Sequence, residues 1–159
     1  MSHFSQGEFD FVERTKHILN HYEQINLKEI NDEKYEITLF MNCLMGLVVF
    51  PQQIWFDNVP EDSLEKNWYI KNEHIKDISG DKRTLKNFAR HIRNSVAHGN
   101  FYPLSADKGK TKKITHLRFL DYSDDSKTTI TLDAKIPVQT MKKFTLKFAD
   151  TMLEIMRKS

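Results

Sequence analysis

Residues 90–99 read Arg-His-Ile-Arg-Asn-Ser-Val-Ala-His-Gly, and they hold the chain's most reactive combination of side chains. At about 100° per residue, Asn94 and His98 lie about 40° apart on one helical face. That face is opposite the stripe containing Leu85 and Val96, so the pattern keeps both residues out of the core. Arg93 stands about 140° from His98. It reaches that residue only through its long side chain, or where the last turn deforms. A two-fold dimer joining two such helix ends would supply both groups to a shared cleft.

An imidazole moves protons near neutral pH, and the end of a helix favours a cation. A guanidinium carries permanent charge and a fork that matches phosphate oxygens. Asn94 adds a neutral donor and acceptor for orientation. His and Arg without a metal are what RNA cleavage by its own 2′-hydroxyl requires. The imidazole takes or gives the proton, and the guanidinium stabilises the phosphorane charge. DNA lacks that hydroxyl and should resist. A purely structural reading stands beside this one, in which Arg93 and His98 satisfy terminal carbonyls of the helix.

The elements around this segment follow from hydrophobic periodicity. Residues 82–98 are expected to be helical, with Leu85, Phe88, Ala89, Ile92 and Val96 as the apolar stripe and Gly99 just past the end. Residues 8–30 are expected to form a helix started by Ser5 or Gly7, with Phe11, Ile18, Tyr22 and Ile25 facing the core. Residues 33–56 are apolar nearly all round from Leu39 to Phe50, the mark of a buried central helix, and Pro51 should kink or end it near Phe50.

Residues 57–81 read as a connection with one short helix around Glu65–Asn72. Ile114 to Tyr122 and Thr128 to Leu132 alternate about a Ser-Asp-Asp-Ser turn, giving a β-hairpin that Asn100–Leu104 could join as a third strand. Pro137 is expected to start a last helix with Met141, Phe144, Phe148, Met152, Ile155 and Met156 facing inward. The fold expected is a mainly α, up-and-down bundle of about four main helices, with a small hairpin inserted at about 114–132.

The chain has 159 residues with 39% hydrophobic and 29% charged residues, which excludes collagen-like and low-complexity classes. It is read as a single domain over 1–159. Its net charge of +2 is too weak to announce nucleic acid by itself. The lone Cys43 excludes an intramolecular disulfide and a Cys-based zinc site, and reads as a core thiol. The first residues lack a basic region followed by an apolar run, and Ile37 to Phe50 is too short to span a bilayer. The expectation is a soluble cytoplasmic protein with no membrane association.

Arg93-Asn94-(three residues)-His98, near the end of the third main helix, resembles the signature of the HEPN superfamily (higher eukaryotes and prokaryotes nucleotide-binding). That signature is Arg, four to six residues, then His, with a polar residue directly after the Arg. The hairpin before the last helix resembles that of small bacterial members. The resemblance implies a metal-independent endoribonuclease that needs no cofactor, acts as a homodimer on an RNA substrate, and serves as a toxin or phage-defence effector. It implies catalytic roles for Arg93 and His98 and a supporting role for Asn94.

The alternative is a catalytically inactive RNA- or partner-binding dimer, regulated by a nucleotidyltransferase antitoxin partner. In the branch so regulated, a Tyr two residues after the His is adenylylated. Here Asn100 holds that position and Tyr102 lies four after His98. The departure weakens that carry-over.

Weaker signals surround the motif. Lys82, Lys86, Arg90 and Arg93 form a basic stripe that could track phosphates, against the commoner reading of a solvated face. Lys86, Arg90 and Tyr102 are the candidate RNA contacts, Tyr102 by stacking, although a plain strand residue is its blander role. Lys108, Lys110, Lys112 and Lys113 read as a basic solvated loop. His17 and His21 share a metal-compatible spacing, but no acidic partner completes a set, so no metal site is assigned. Trp55 and Trp68 read as satellite core residues.

Overall fold

Val12 and Leu19, seven residues apart, are the buried side chains of the first helix, α1 (His3–Asn26). The computed structural model describes residues 3–26, 33–80, 83–105 and 114–158. The core face of α1 differs from the expected one, because Phe11 and Ile18 are 48% and 54% exposed. Two apolar rows share this helix, and the neighbouring row is the one that packs. The helix also begins upstream of Ser5 and Gly7, and the Ile25 side chain lies outside the described residues.

The chain packs as two compact units, Met1–Asn58 with Thr145–Ser159, and Val59–Phe144. In the first unit α1 packs against α2 (Glu33–Leu44) and against a π-helical turn, Met45–Val49, which leads into α3 (Phe50–Trp55). Phe40, Met41, Cys43, Leu44, Leu47 and Val48 are buried as expected, whereas Met45 and Phe50 are exposed. Burial pushes the Cys43 thiol up.

Pro51 does not end the helix. It falls in the first turn of α3, where no intrahelical donor is needed. The widened turn before it, closed by the Phe50 N–H on the Met45 carbonyl, absorbs the change of register. Gly46 lies in that turn, and a Cβ there would stand 3.0 Å from Thr15 Cγ2, so a side chain would require the Thr15 side chain on α1 to give way.

The second unit is built on a four-stranded antiparallel sheet of order β1-β4-β3-β2, with β1 Ile75–Ile78, β2 Phe101–Ser105, β3 Ile114–Tyr122 and β4 Ile130–Pro137. The expected hairpin is β3–β4 and the third strand is β2, but β1 was not expected. The expected short helix is confined to α4 (Leu64–Asn67), and β4 continues through Pro137, so the last helix, α6, runs Val138–Lys158.

One sheet face carries the row Ile75, Ala134, Phe119 and Phe101. The other carries Lys135, Arg118 and Tyr102. Helix α5 (Leu85–Ala97) packs on β3. Its whole expected stripe is buried, with the Phe88 ring edge-on to Phe144 at 5.4 Å and Trp68 edge-on to Phe144 at 6.1 Å. The buried positions of α6 include Met141, Phe144, Phe148, Met152 and Met156, while Ile155 is half-buried. Among the described residues, no helix is long and apolar enough to cross a membrane.

Candidate functional site

Helix α5 starts at Thr84, whose hydroxyl accepts the Asn87 N–H at 3.3 Å. Its other end is a paired closure. The Asn100 N–H donates to the Ser95 carbonyl at 2.7 Å and the Gly99 N–H to the Val96 carbonyl at 3.1 Å. Gly99 adopts φ +67°, and no atom lies within 4 Å of where its Cβ would stand. Gly99→Ala therefore meets only the backbone penalty, and an unfolding loss of about 1 kcal/mol is expected. Urea denaturation with an unchanged slope would show it. His98 is the C-cap and is exposed, so the closure presents its ring to solvent immediately before the chain turns into β2.

Upstream of that cap, the polar groups of α5 meet a single carboxylate on β3. Arg93 Nε and Nη2 both donate to Asn94 Oδ1, at 3.1 and 2.8 Å. Asn94 Nδ2 donates to Asp121 Oδ2 at 3.1 Å. His91 Nδ1 donates to the same oxygen at 2.7 Å, and its Nε2 faces the Ser79 carbonyl at 3.3 Å. Asp121 Oδ1 accepts the Tyr122 N–H at 3.0 Å. Both His91 and Asp121 are almost wholly enclosed, at 3% and 4% exposure. Burial alone would raise the Asp121 carboxyl, but the hydrogen bonds from His91 and Asn94 outweigh it and hold the group below the ordinary carboxylate range.

A polar cavity of about 360 Å³ opens beside this array, lined in part by His98, Asn100, Asp121, Tyr122, Asp124 and Lys127. Its far wall is the β3–β4 turn, organised by Asp124. The Thr128 N–H at 3.0 Å and the Ser126 hydroxyl at 2.7 Å donate to Asp124 Oδ1, and the Thr129 N–H donates to Oδ2 at 2.9 Å. Those bonds, the Thr128 N–H foremost, hold the Asp124 carboxyl far below the ordinary range. The turn sets Lys127 at φ +56° and brings its Nζ to 2.6 Å from Asn100 Oδ1.

The structure thus joins Arg93 to Asn94 directly and places His98 and Asp121 on one cavity. That cavity's lining does not include Arg93 or Asn94, nor Lys86, Arg90 or Tyr102. Lys86 is half-buried, Arg90 is exposed and donates to Asn87 Oδ1 at 2.9 Å, and Tyr102 is 43% exposed on β2. Lys82 and the lysines of 108–113 lie outside the described residues, and His17 and His21 lie in the other unit.

Sequence reasoning missed Asp121, Lys127, Asn100 and the role of His91. One signal pointed to Asp121. In β3 it follows Leu117 and Phe119 at alternate positions, which places a carboxylate in the buried row.

A mainly helical chain with a small antiparallel sheet before its last helix has the architecture of a HEPN domain. The family model described as HEPN pEK499 p136 matches residues 1–159, and the chain belongs to that family. No curated protein and no solved structure matches it. Membership supports a domain of nucleotide-binding or RNase type.

Proposed function

We propose that this chain is a metal-independent endoribonuclease that cuts single-stranded or unpaired RNA and serves as a toxin or phage-defence effector. The observation that carries the reading is the state of Arg93. Among the described residues its guanidinium is held by the neutral amide oxygen of Asn94 and by no carboxylate, so it is oriented but keeps its charge. An oriented, uncompensated guanidinium is suited to a phosphate.

His98, exposed on the cavity, takes the proton of the 2′-hydroxyl or delivers one to the leaving 5′-oxygen. The 2′-oxygen bonds to phosphorus and the P–O5′ bond breaks, leaving a 2′,3′-cyclic phosphate and a 5′-hydroxyl. A second copy of the chain brings a further Arg93 and His98 to the cleft, so the working site is that of a homodimer.

A second reading, a non-catalytic RNA- or partner-binding dimer, is favoured by one feature. The Asn94 amide uses both ends to tie α5 to β3, as a structural residue would.

One experiment separates the two. Wild-type protein in EDTA is given a mixed-sequence RNA and its all-deoxy counterpart. The nuclease reading expects cleavage of the RNA alone, products carrying a cyclic phosphate by mass, and no cleavage by a parallel preparation of His98→Ala. Binding without turnover would establish the second reading, and equal cutting by His98→Ala would remove His98 from the mechanism.

A further inference from the structure

The sheet face opposite the core row carries Tyr102 and Arg118, and Tyr122 follows at the end of β3 beside the cavity. Tyr102 on edge strand β2 is directly paired with Arg118 of β3. Tyr122 lies four residues further along β3, about 13 Å away at the rise of a strand, beyond the buried Leu120 and just past the register irregularity between Asp121 and Tyr122. It is also part of the cavity wall beside His98. Both phenol groups lie within electrostatic reach of Arg118.

Arg118 is held flat. Its Nε and Nη2 each donate to Asp133 at 2.9 Å, while its side chain stays 41% exposed. Asp133, which also has Lys76 Nζ at 3.8 Å, takes two of the guanidinium's donors, so what Arg118 presents outward is a fixed plane. At the end of the row, Lys127 Nζ stands 5.9 Å from the centre of the Tyr122 ring and beside Asn100, at the mouth of the cavity.

The geometry points to this row, Tyr102–Arg118–Tyr122 with Lys127, as a subsite for unpaired nucleotides of the RNA strand entering the His98 cavity. The inference rests on the nuclease reading for the identity of its ligand. Aromatic faces and a planar guanidinium are stacking platforms that accept any base, and stacking needs bases that are not already paired. A lysine at the end of such a row takes a backbone phosphate as a point charge. The arrangement therefore selects single strands by their open bases rather than by sequence. With Nε and Nη2 already given to Asp133, Arg118 offers its flat face, which argues for base contact over a second phosphate contact.

The test is the fluorescence anisotropy of a labelled, single-stranded, mixed-sequence 2′-O-methyl RNA with wild-type protein. That strand has no free 2′-hydroxyl, so binding is read without cleavage. Tyr102→Ala and Tyr122→Ala should each raise Kd about tenfold. Tyr102→Phe and Tyr122→Phe should stay within about twofold, because the ring face and not the hydroxyl does the binding. Lys127→Ala should weaken binding and reduce the salt slope by about one. A fully paired duplex of the same sequence should bind more weakly than the single strand.

Alanine variants that bind as well as wild type, a preference for duplex, or no binding by wild type would each overturn the subsite. Tyrosine-dependent binding with no cleavage of unmodified RNA would remove the nuclease reading and leave the subsite standing. Cleavage with tyrosine-independent binding would remove the subsite alone.

Discussion

Arg93→Ala is expected to slow single-turnover RNA cleavage by about 10²–10³-fold, the usual cost of removing one preorganised stabiliser of developing charge. The negative charge on phosphorus grows as the 2′-oxygen adds, so a cation held in place before the reaction acts mainly on the transition state. The chemical step should therefore fall more than the affinity for RNA. Arg93→Lys should recover only a small part of the loss. A lysine keeps the charge but cannot make the two bonds, 3.1 and 2.8 Å, by which Asn94 Oδ1 fixes the guanidinium. Arg93 is half-buried and outside the core, so both variants should retain the helical circular dichroism of wild type. Cleavage by Arg93→Ala at the wild-type rate would take Arg93 out of the chemistry and leave it a structural partner of Asn94.

How far the sequence could lead to this site depended on the range of the contacts involved. Helix α5 was legible because its signals are local. Gly99 takes the left-handed conformation just past its end, and the stripe from Leu85 to Val96 is apolar at helical spacing, whereas the start at the Thr84 cap lies inside the expected range of 82–98. Arg93, Asn94 and His98 could be placed on that helix end from spacing alone.

Their carboxylate partner could not. Asp121 lies 30 residues from His91 and 27 from Asn94, and nothing in a local pattern says which strand will pack on which helical face. The core face of α1 failed for a related reason. Its two apolar rows are equally periodic, and tertiary packing selects Val12 and Leu19 over Phe11 and Ile18. Strand β1 is only four residues long and gains its identity from pairing with β4. Pro51 marks where the helix is interrupted but not how, because a π turn ahead of a proline has no sequence signature comparable to the proline's own.

Asp121→Ala is expected to be the most damaging single substitution at the site, at about 3 kcal/mol of stability near neutral pH. The magnitude follows from what remains behind. His91 Nδ1 and Asn94 Nδ2 both donate to Asp121 Oδ2, and removing the acceptor leaves two donors without it in a nearly closed space. Asp121→Asn should be milder, since an amide oxygen still accepts.

The same carboxylate gives the substitution a pH signature. Folding holds Asp121 below its unfolded value of 3.8, so the folded state prefers the ionised form. Its contribution is complete above that value and is lost as pH falls through the lower, folded one. Urea unfolding across the acid range should therefore show the gap between wild type and Asp121→Ala narrowing below about pH 4. A gap that stays constant as pH falls would mean that the ionised carboxylate is not what holds β3 to α5. If the gap narrows as expected and Asp121→Asn also cleaves RNA more slowly than its stability loss explains, Asp121 is the residue through which the sheet fixes Asn94, and through Asn94 the guanidinium of Arg93.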